Sequence, residues 1–108
     1  MKTIEIVTIP VSDQQKAKEF YMKLGFHIIV EAPMGDGTNW VQLGLPNQPT
    51  SISLLNHHGV MFETDDIEKE IGELQAKGIE ISKIETTPWG KFAQMKDLDG
   101  NGLSFHQK

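Results

Sequence analysis

Two short segments place an aromatic ring and a carboxamide two residues apart: Trp40-Val41-Gln42-Leu43 and Phe92-Ala93-Gln94-Met95. Alternate residues of a strand face opposite sides, so Trp40 and Gln42 share one face, with Val41 and Leu43 on the other. Phe92 and Gln94 repeat the arrangement. A ring supplies stacking area and an amide fixes orientation, which suits a flat, partly polar organic ligand. The same residues would equally fill a cleft or a subunit contact. Glu63 is a carboxylate in an otherwise apolar strand, where it would act as a general base, pair with a cationic ligand, or bond to neighbouring hydroxyls. Trp89, between Pro88 and Gly90, sits in a rim loop, as a ligand contact or as a loop anchor. No nucleophile–base–orienter set, glycine-rich phosphate cradle or dinucleotide fingerprint accompanies these residues.

The elements that must position them come in two copies. Val7-Thr8-Ile9-Pro10-Val11-Ser12-Asp13 and the following helical stretch to Gly25 are echoed 53 residues later by Val60-Met61-Phe62-Glu63-Thr64-Asp65-Asp66 and a stretch to Gly78. Ser51-Ile52-Ser53-Leu54 is answered by Gly102-Leu103-Ser104-Phe105. Asp13, and Asp65 or Asp66, are helix N-caps, and Gly25 and Gly78 fit the left-handed stop. Ala17, Phe20, Tyr21 and Leu24 recur at helical spacing in the first helix, and Ile67, Ile71 and Leu74 in the second. Strands are expected at 2–11, 26–30, 40–45 and 51–55, then at 60–64, 79–84, 91–96 and 102–106. The loop 32–38 and the turns Pro46-Asn47-Gln48-Pro49 and Asp99-Gly100-Asn101-Gly102 join them. Each copy is βαβββ, module one spanning about 1–56 and module two about 57–108 of one domain. Val7, Ile9 and Val11, and Val60, Phe62 and Thr64, are expected beneath the helices. Ile4, Ile6, Thr8, Met61 and Glu63 then face away, toward a cleft.

At 108 residues neither half has enough core to stand alone. A net charge of −5 leaves no basic patch to displace phosphate counterions, so no nucleic-acid or anionic-membrane partner is expected. The absence of cysteine removes disulfides, thiolate nucleophiles and cysteine-ligated zinc. No apolar run approaches membrane-spanning length and no leader pattern opens the chain, so a cytoplasmic location is expected.

The stretch from Val11-Ser12-Asp13 through Phe20-Tyr21 to Leu24-Gly25-Phe26 resembles the glyoxalase/bleomycin-resistance/dioxygenase, or vicinal oxygen chelate, superfamily. So do Phe62-Glu63-Thr64-Asp65-Asp66-Ile67, Pro88-Trp89-Gly90-Lys91-Phe92, Asp97-Leu98-Asp99-Gly100-Asn101 and the Pro33-Met34-Gly35-Asp36-Gly37 loop. The likeness covers essentially the whole chain. It implies an α+β fold in which paired βαβββ modules form a U-shaped mixed sheet around a cleft, helices outside, usually in a homodimer. Metal-dependent members hold a divalent ion by His, Gln or Glu on the first and last strands of each module. Carried over, those positions are Ile6, Gly59, Ser53 and Ser104, none with a credible ligand. His57 and His106 are the remaining metal candidates, His57 sharing parity with Gly59 and His106 with Ser104. The expectation is therefore a binding protein without metal or cofactor. Its ligand would lie among Trp40, Gln42, Ser53, Trp89, Phe92, Gln94 and Ser104. The alternative is a metal-dependent lyase, isomerase or dioxygenase with an atypical site drawn from His57, His106 and Glu63.

Overall fold

The computed structural model describes residues 1–35 and 37–108; Asp36 of the Pro33–Gly37 loop lies outside the described residues. Eight strands and two helices follow one another as β1 (Thr3–Pro10), α1 (Gln14–Lys23), β2 (His27–Pro33), β3 (Asn39–Gly44), β4 (Ser51–Leu55), β5 (Gly59–Glu63), α2 (Ile67–Ala76), β6 (Glu85–Thr87), β7 (Gly90–Lys96) and β8 (Gly102–Gln107). The fold is α+β, and its order is βαβββ twice. Compact units are Ile6–His58 and, together, Met1–Glu5 with Gly59–Lys108. The start of β1 thus belongs with module two, tied there by a 2.8 Å bond from the Lys2 amide to the Glu63 carbonyl.

In module one the strand order is β2-β3-β4-β1. β4 runs parallel to β1, with Thr8 beside Ser53 and Ile9 beside Leu54, while β3 is antiparallel to both β2 and β4. Val41, Leu43 and Leu54 are fully buried, and Ile9, Val11, Ala17, Tyr21, Phe26 and Ile52 pack on them. Asp13 starts α1 by accepting the Lys16 amide at 3.1 Å, and Gly25, at φ 111°, ends it. Gln14 clasps the sheet, its amide donating to the carbonyls of Asn39 at 2.8 Å and Leu54 at 2.6 Å.

Module two repeats this register. β8 runs parallel to β5, setting Met61 beside Ser104 and Phe62 beside Phe105, and β7 pairs antiparallel with β8. Ile67, Ile71, Ala93 and Phe105 form the core, flanked by Phe62, Leu74, Ile81, Ile84 and Met95. Burying Ile67 completely is worth about 1.5–3 kcal/mol relative to leaving it in water. Asp66 is the N-cap of α2, accepting the Lys69 amide at 3.1 Å.

Three expectations change. Residues 79–84 form no strand; the strand is Glu85–Thr87 instead. Ile81 and Ile84 both pack on the core although three residues apart, which a period of two forbids. Ser82 keeps contact with β7, its amide donating to the Gln94 carbonyl and its hydroxyl accepting the Gln94 amide, each at 2.9 Å. In α1, Phe20 and Leu24 lie outside the core and are more than half exposed. The helix turns Ala17 and Tyr21 inward, so one shoulder of its apolar stripe overhangs. Finally, β2 extends to Pro33, taking in Ala32 and Pro33 from the expected loop, and carries a bulge between Ile28 and Val30.

Candidate functional site

The face of each module opposite its helix carries the candidate residues, and the two modules use it differently. In module one, Val41 and Leu43 fill the helix side, so Trp40 and Gln42 project the other way. There the Trp40 indole donates to Gln42 Oε1 at 3.1 Å, and Gln42 Nε2 donates to Ser51 Oγ at 2.8 Å. Ser53, fully buried, shares a 2.7 Å hydrogen bond with the Thr8 hydroxyl. Ring, amide and hydroxyl are all present, and their polar atoms are engaged with one another.

Module two places Phe92, Gln94, Ser104 and Met61 at the matching positions, with Gln94 opposite Ser104 and Ser104 beside Met61. Gln94 is exposed and Ser104 half-buried. Among the described residues, neither side chain makes a hydrogen bond to the protein. Phe92 is covered on one side by His106, whose ring lies parallel to it with centroids 4.3 Å apart. His106 is buried, with Nδ1 2.8 Å from Glu5 Oε1 and Nε2 2.9 Å from the Trp89 carbonyl. A carbonyl only accepts, so Nε2 carries the hydrogen there.

Trp89 is the tip of the β6–β7 hairpin, its side chain 77% exposed. Thr87 Oγ1 holds the tip, accepting the Trp89 amide at 3.1 Å and donating to the Gly90 carbonyl at 2.9 Å. Gly90 is required at φ 123°, because a Cβ would sit 2.2 Å from the Gln107 carbonyl. Glu63 lies beside His106 in the β5–β8 register, mostly buried, 3.8 Å from Lys108 Nζ.

The positions that a divalent ion would need do not suit one. Ile6 is buried hydrocarbon, Gly59 has no side chain, and the Ser53 hydroxyl is occupied by Thr8. His106 has both ring nitrogens in hydrogen bonds, and exposed His57 turns Nδ1 toward the His58 carbonyl at 3.1 Å. Among the described residues no three His, Cys, Asp or Glu side chains are grouped to hold a metal. No helix of the described residues is long and apolar enough to cross a membrane.

Sequence reasoning missed Glu5, Thr8 and Ser51. The signal used for Glu63, a carboxylate in an apolar strand, applies equally to Glu5 between Ile4 and Ile6.

A family model described as the Glyoxalase/Bleomycin resistance protein/Dioxygenase superfamily matches residues 3–105. The chain belongs to this superfamily. The chain is 31% identical over 113 residues to the uncharacterized protein YetH of Bacillus subtilis strain 168, with 94% of each chain covered. Methylmalonyl-CoA epimerase of Mycobacterium tuberculosis shares the superfamily fold at TM-score 0.79 and 16% identity, covering 97% of this chain and 87% of its own. TnmS3, an antibiotic binding protein from Streptomyces sp. CB03234, is 29% identical at TM-score 0.48, with 99% and 96% covered.

Proposed function

We propose that this superfamily member is a binding protein for a small organic molecule and works without a metal or other cofactor. The observation that carries the reading is an inequality between the repeats. Gln42 and Ser53 are satisfied within module one, whereas their counterparts Gln94 and Ser104 have no protein partner among the described residues. A half-open amide and hydroxyl on adjacent strands suit a neutral group that both donates and accepts, such as a carboxamide or a hydroxyl beside a carbonyl. The rings of Phe92 and Trp89, in the same module as Gln94 and Ser104, are candidate contacts for an aromatic portion of the ligand. Ser53, buried against Thr8, acts in this reading as support for the strand and not as a contact.

The donor chemistry favours binding over metal-assisted turnover, since isoleucine and glycine supply no lone pair at the expected ligand positions. Two measurements test the reading. A panel of planar aromatic carboxamides and hydroxy-ketones is screened by thermal shift, where a binder at a hundred times its Kd adds about 2.7 kcal/mol of stability. Elemental analysis of protein purified without a histidine tag accompanies it. Stoichiometric iron, zinc, nickel or manganese would overturn the metal-free reading and favour a lyase, isomerase or dioxygenase.

A further inference from the structure

Asn101-Gly102 closes the β7–β8 turn, and it is the one place in the chain where asparagine precedes glycine. The side-chain amide of an asparagine is open to attack by the backbone nitrogen of the next residue, which closes a succinimide ring. Glycine in that place presents its nitrogen with no Cβ beside it. Asn39, Asn47 and Asn56 are followed by Trp40, Gln48 and His57, whose side chains crowd the same approach. Asn101 is exposed, so water and base reach it.

The fold ties this amide to a single side chain. Asn101 Nδ2 donates to Asp97 Oδ2 at 2.9 Å, and the Asn101 backbone amide donates to Asp97 Oδ1 at 2.8 Å. The Asp97 amide in turn donates to the Asn101 carbonyl at 3.0 Å, and the Asp97 carbonyl accepts the Gly100 amide at 3.2 Å. Leu98 and Asp99 are exposed, so the turn closes on Asp97 and not on apolar packing.

We propose that Asn101 is a modification site: it loses its side-chain amide through a succinimide formed with Gly102, and the acid left behind breaks the closure on Asp97. The Gly102 nitrogen gives its proton to base and bonds to Asn101 Cγ. The Cγ–Nδ2 bond breaks, and Nδ2 takes a proton from water and leaves as ammonia. Water then opens the ring at either carbonyl carbon, and the Gly102 nitrogen regains its proton. Opening at Cγ leaves aspartate; opening at the main-chain carbonyl leaves isoaspartate, whose backbone runs through the side chain and is longer by a carbon. In aspartate an acceptor stands where Nδ2 donated, 2.9 Å from Asp97 Oδ2, so two carboxylates face each other. In isoaspartate the added carbon lies just before Gly102, where β8 begins, and pushes the strand off its pairing with Lys96. The same pairing sets Gln94 opposite Ser104, two residues further in.

The full chain is incubated in mildly alkaline buffer and mapped by peptide mass spectrometry, with isoaspartate methyltransferase labelling to separate the two products. Conversion is expected at Asn101 and not at Asn39, Asn47 or Asn56 over the same period. Asp97→Ala, which frees the carboxamide, is expected to speed it at least about fivefold, the factor for one net hydrogen bond. Asn101→Gln, which would have to close a larger ring, is expected to abolish it. Asn101→Asp carries the first product from the start and is expected to melt below wild type at neutral pH, with the gap narrowing in acid as one carboxyl takes a proton. Adding Asp97→Asn to that variant returns a donor to the contact and should restore part of the loss. Circular dichroism reports folding, and the Asn101 variants keep the test decisive should Asp97→Ala disturb the turn. Three results overturn the proposal: Asn101 intact in the folded chain when the urea-unfolded chain has converted, equal conversion at the other asparagines, or Asn101→Asp as stable as wild type. No ligand enters the test, so its outcome is independent of the binding function.

Discussion

Glu5 Oε1 lies 2.8 Å from His106 Nδ1, joining the first strand of the chain to its last across 101 residues of sequence. Both side chains are more than four-fifths buried. Because the other ring nitrogen donates to the Trp89 carbonyl at 2.9 Å, one imidazole connects β1, β8 and the β6–β7 hairpin. The Phe92 ring stacked on it at 4.3 Å completes the seat.

Removing the carboxylate should therefore be felt at the hairpin. Glu5→Ala leaves the buried Nδ1 edge without its partner and is expected to cost about 1–3 kcal/mol. Glu5→Gln should cost less, because a carboxamide can donate to Nδ1 while Nε2–H stays on the Trp89 carbonyl. Urea unfolding of the three proteins checks this ordering. Equal losses for Ala and Gln would remove the hydrogen bond as the cause.

The Thr8–Ser53 pair predicts a non-additive cycle. Ser53→Ala leaves the half-buried Thr8 hydroxyl without its partner and should lose about 1 kcal/mol, and Thr8→Val, which strands the fully buried Ser53 hydroxyl, should lose at least as much. The double variant replaces both polar atoms by hydrocarbon and should lie close to wild type. Additive losses in denaturant melts would show that the two hydroxyls do not depend on each other.

The β7–β8 turn predicts an acid sensitivity. Asp97 accepts the amides of Asp99 at 2.9 Å and Asn101 at 2.8 Å, and the Asn101 side chain at 2.9 Å. These bonds, the Asn101 side chain first, hold its carboxyl below the usual range. A lowered folded-state pKa stabilises above the unfolded value and loses that contribution as pH falls through the folded value. Wild type should thus melt above Asp97→Ala at neutral pH. The part of the gap due to ionisation should shrink only in acid, below the ordinary aspartate range. A gap that stays constant down through that range would assign the effect to packing alone.

For the ligand face, the inequality between the repeats gives an order of effects. Gln94→Ala and Ser104→Ala should weaken a ligand found in the thermal-shift panel by about fivefold to tenfold, one hydrogen bond each. Phe92→Ala should weaken it more than Trp89→Ala, because Phe92 stands two residues from Gln94 on the same strand face while Trp89 sits at the hairpin tip. Isothermal titration of the four variants decides. Unchanged affinity in both Gln94→Ala and Ser104→Ala would move the site elsewhere.

Much of the fold was legible before any coordinates. The caps Asp13 and Asp66, the left-handed Gly25 and Gly78 and the parity of Val41, Leu43 and Ala93 are local properties, fixed by residues a few positions apart. The repeat reappears in the strand register, since Thr8 meets Ser53 as Met61 meets Ser104. What the chain could not declare is which equivalent residue finds a partner. Gln42 is tied to Trp40 and Ser51 while Gln94 is not, although both follow an aromatic by two residues. Phe20 and Leu24 share the helical spacing of Ala17 and Tyr21 and yet are exposed, because helical spacing defines a stripe but not how far the sheet extends beneath it. Periodicity is written in neighbouring residues and survives without a partner. Hydrogen-bond satisfaction and exposure are set by atoms that only folding brings together, as Glu5 and His106 are.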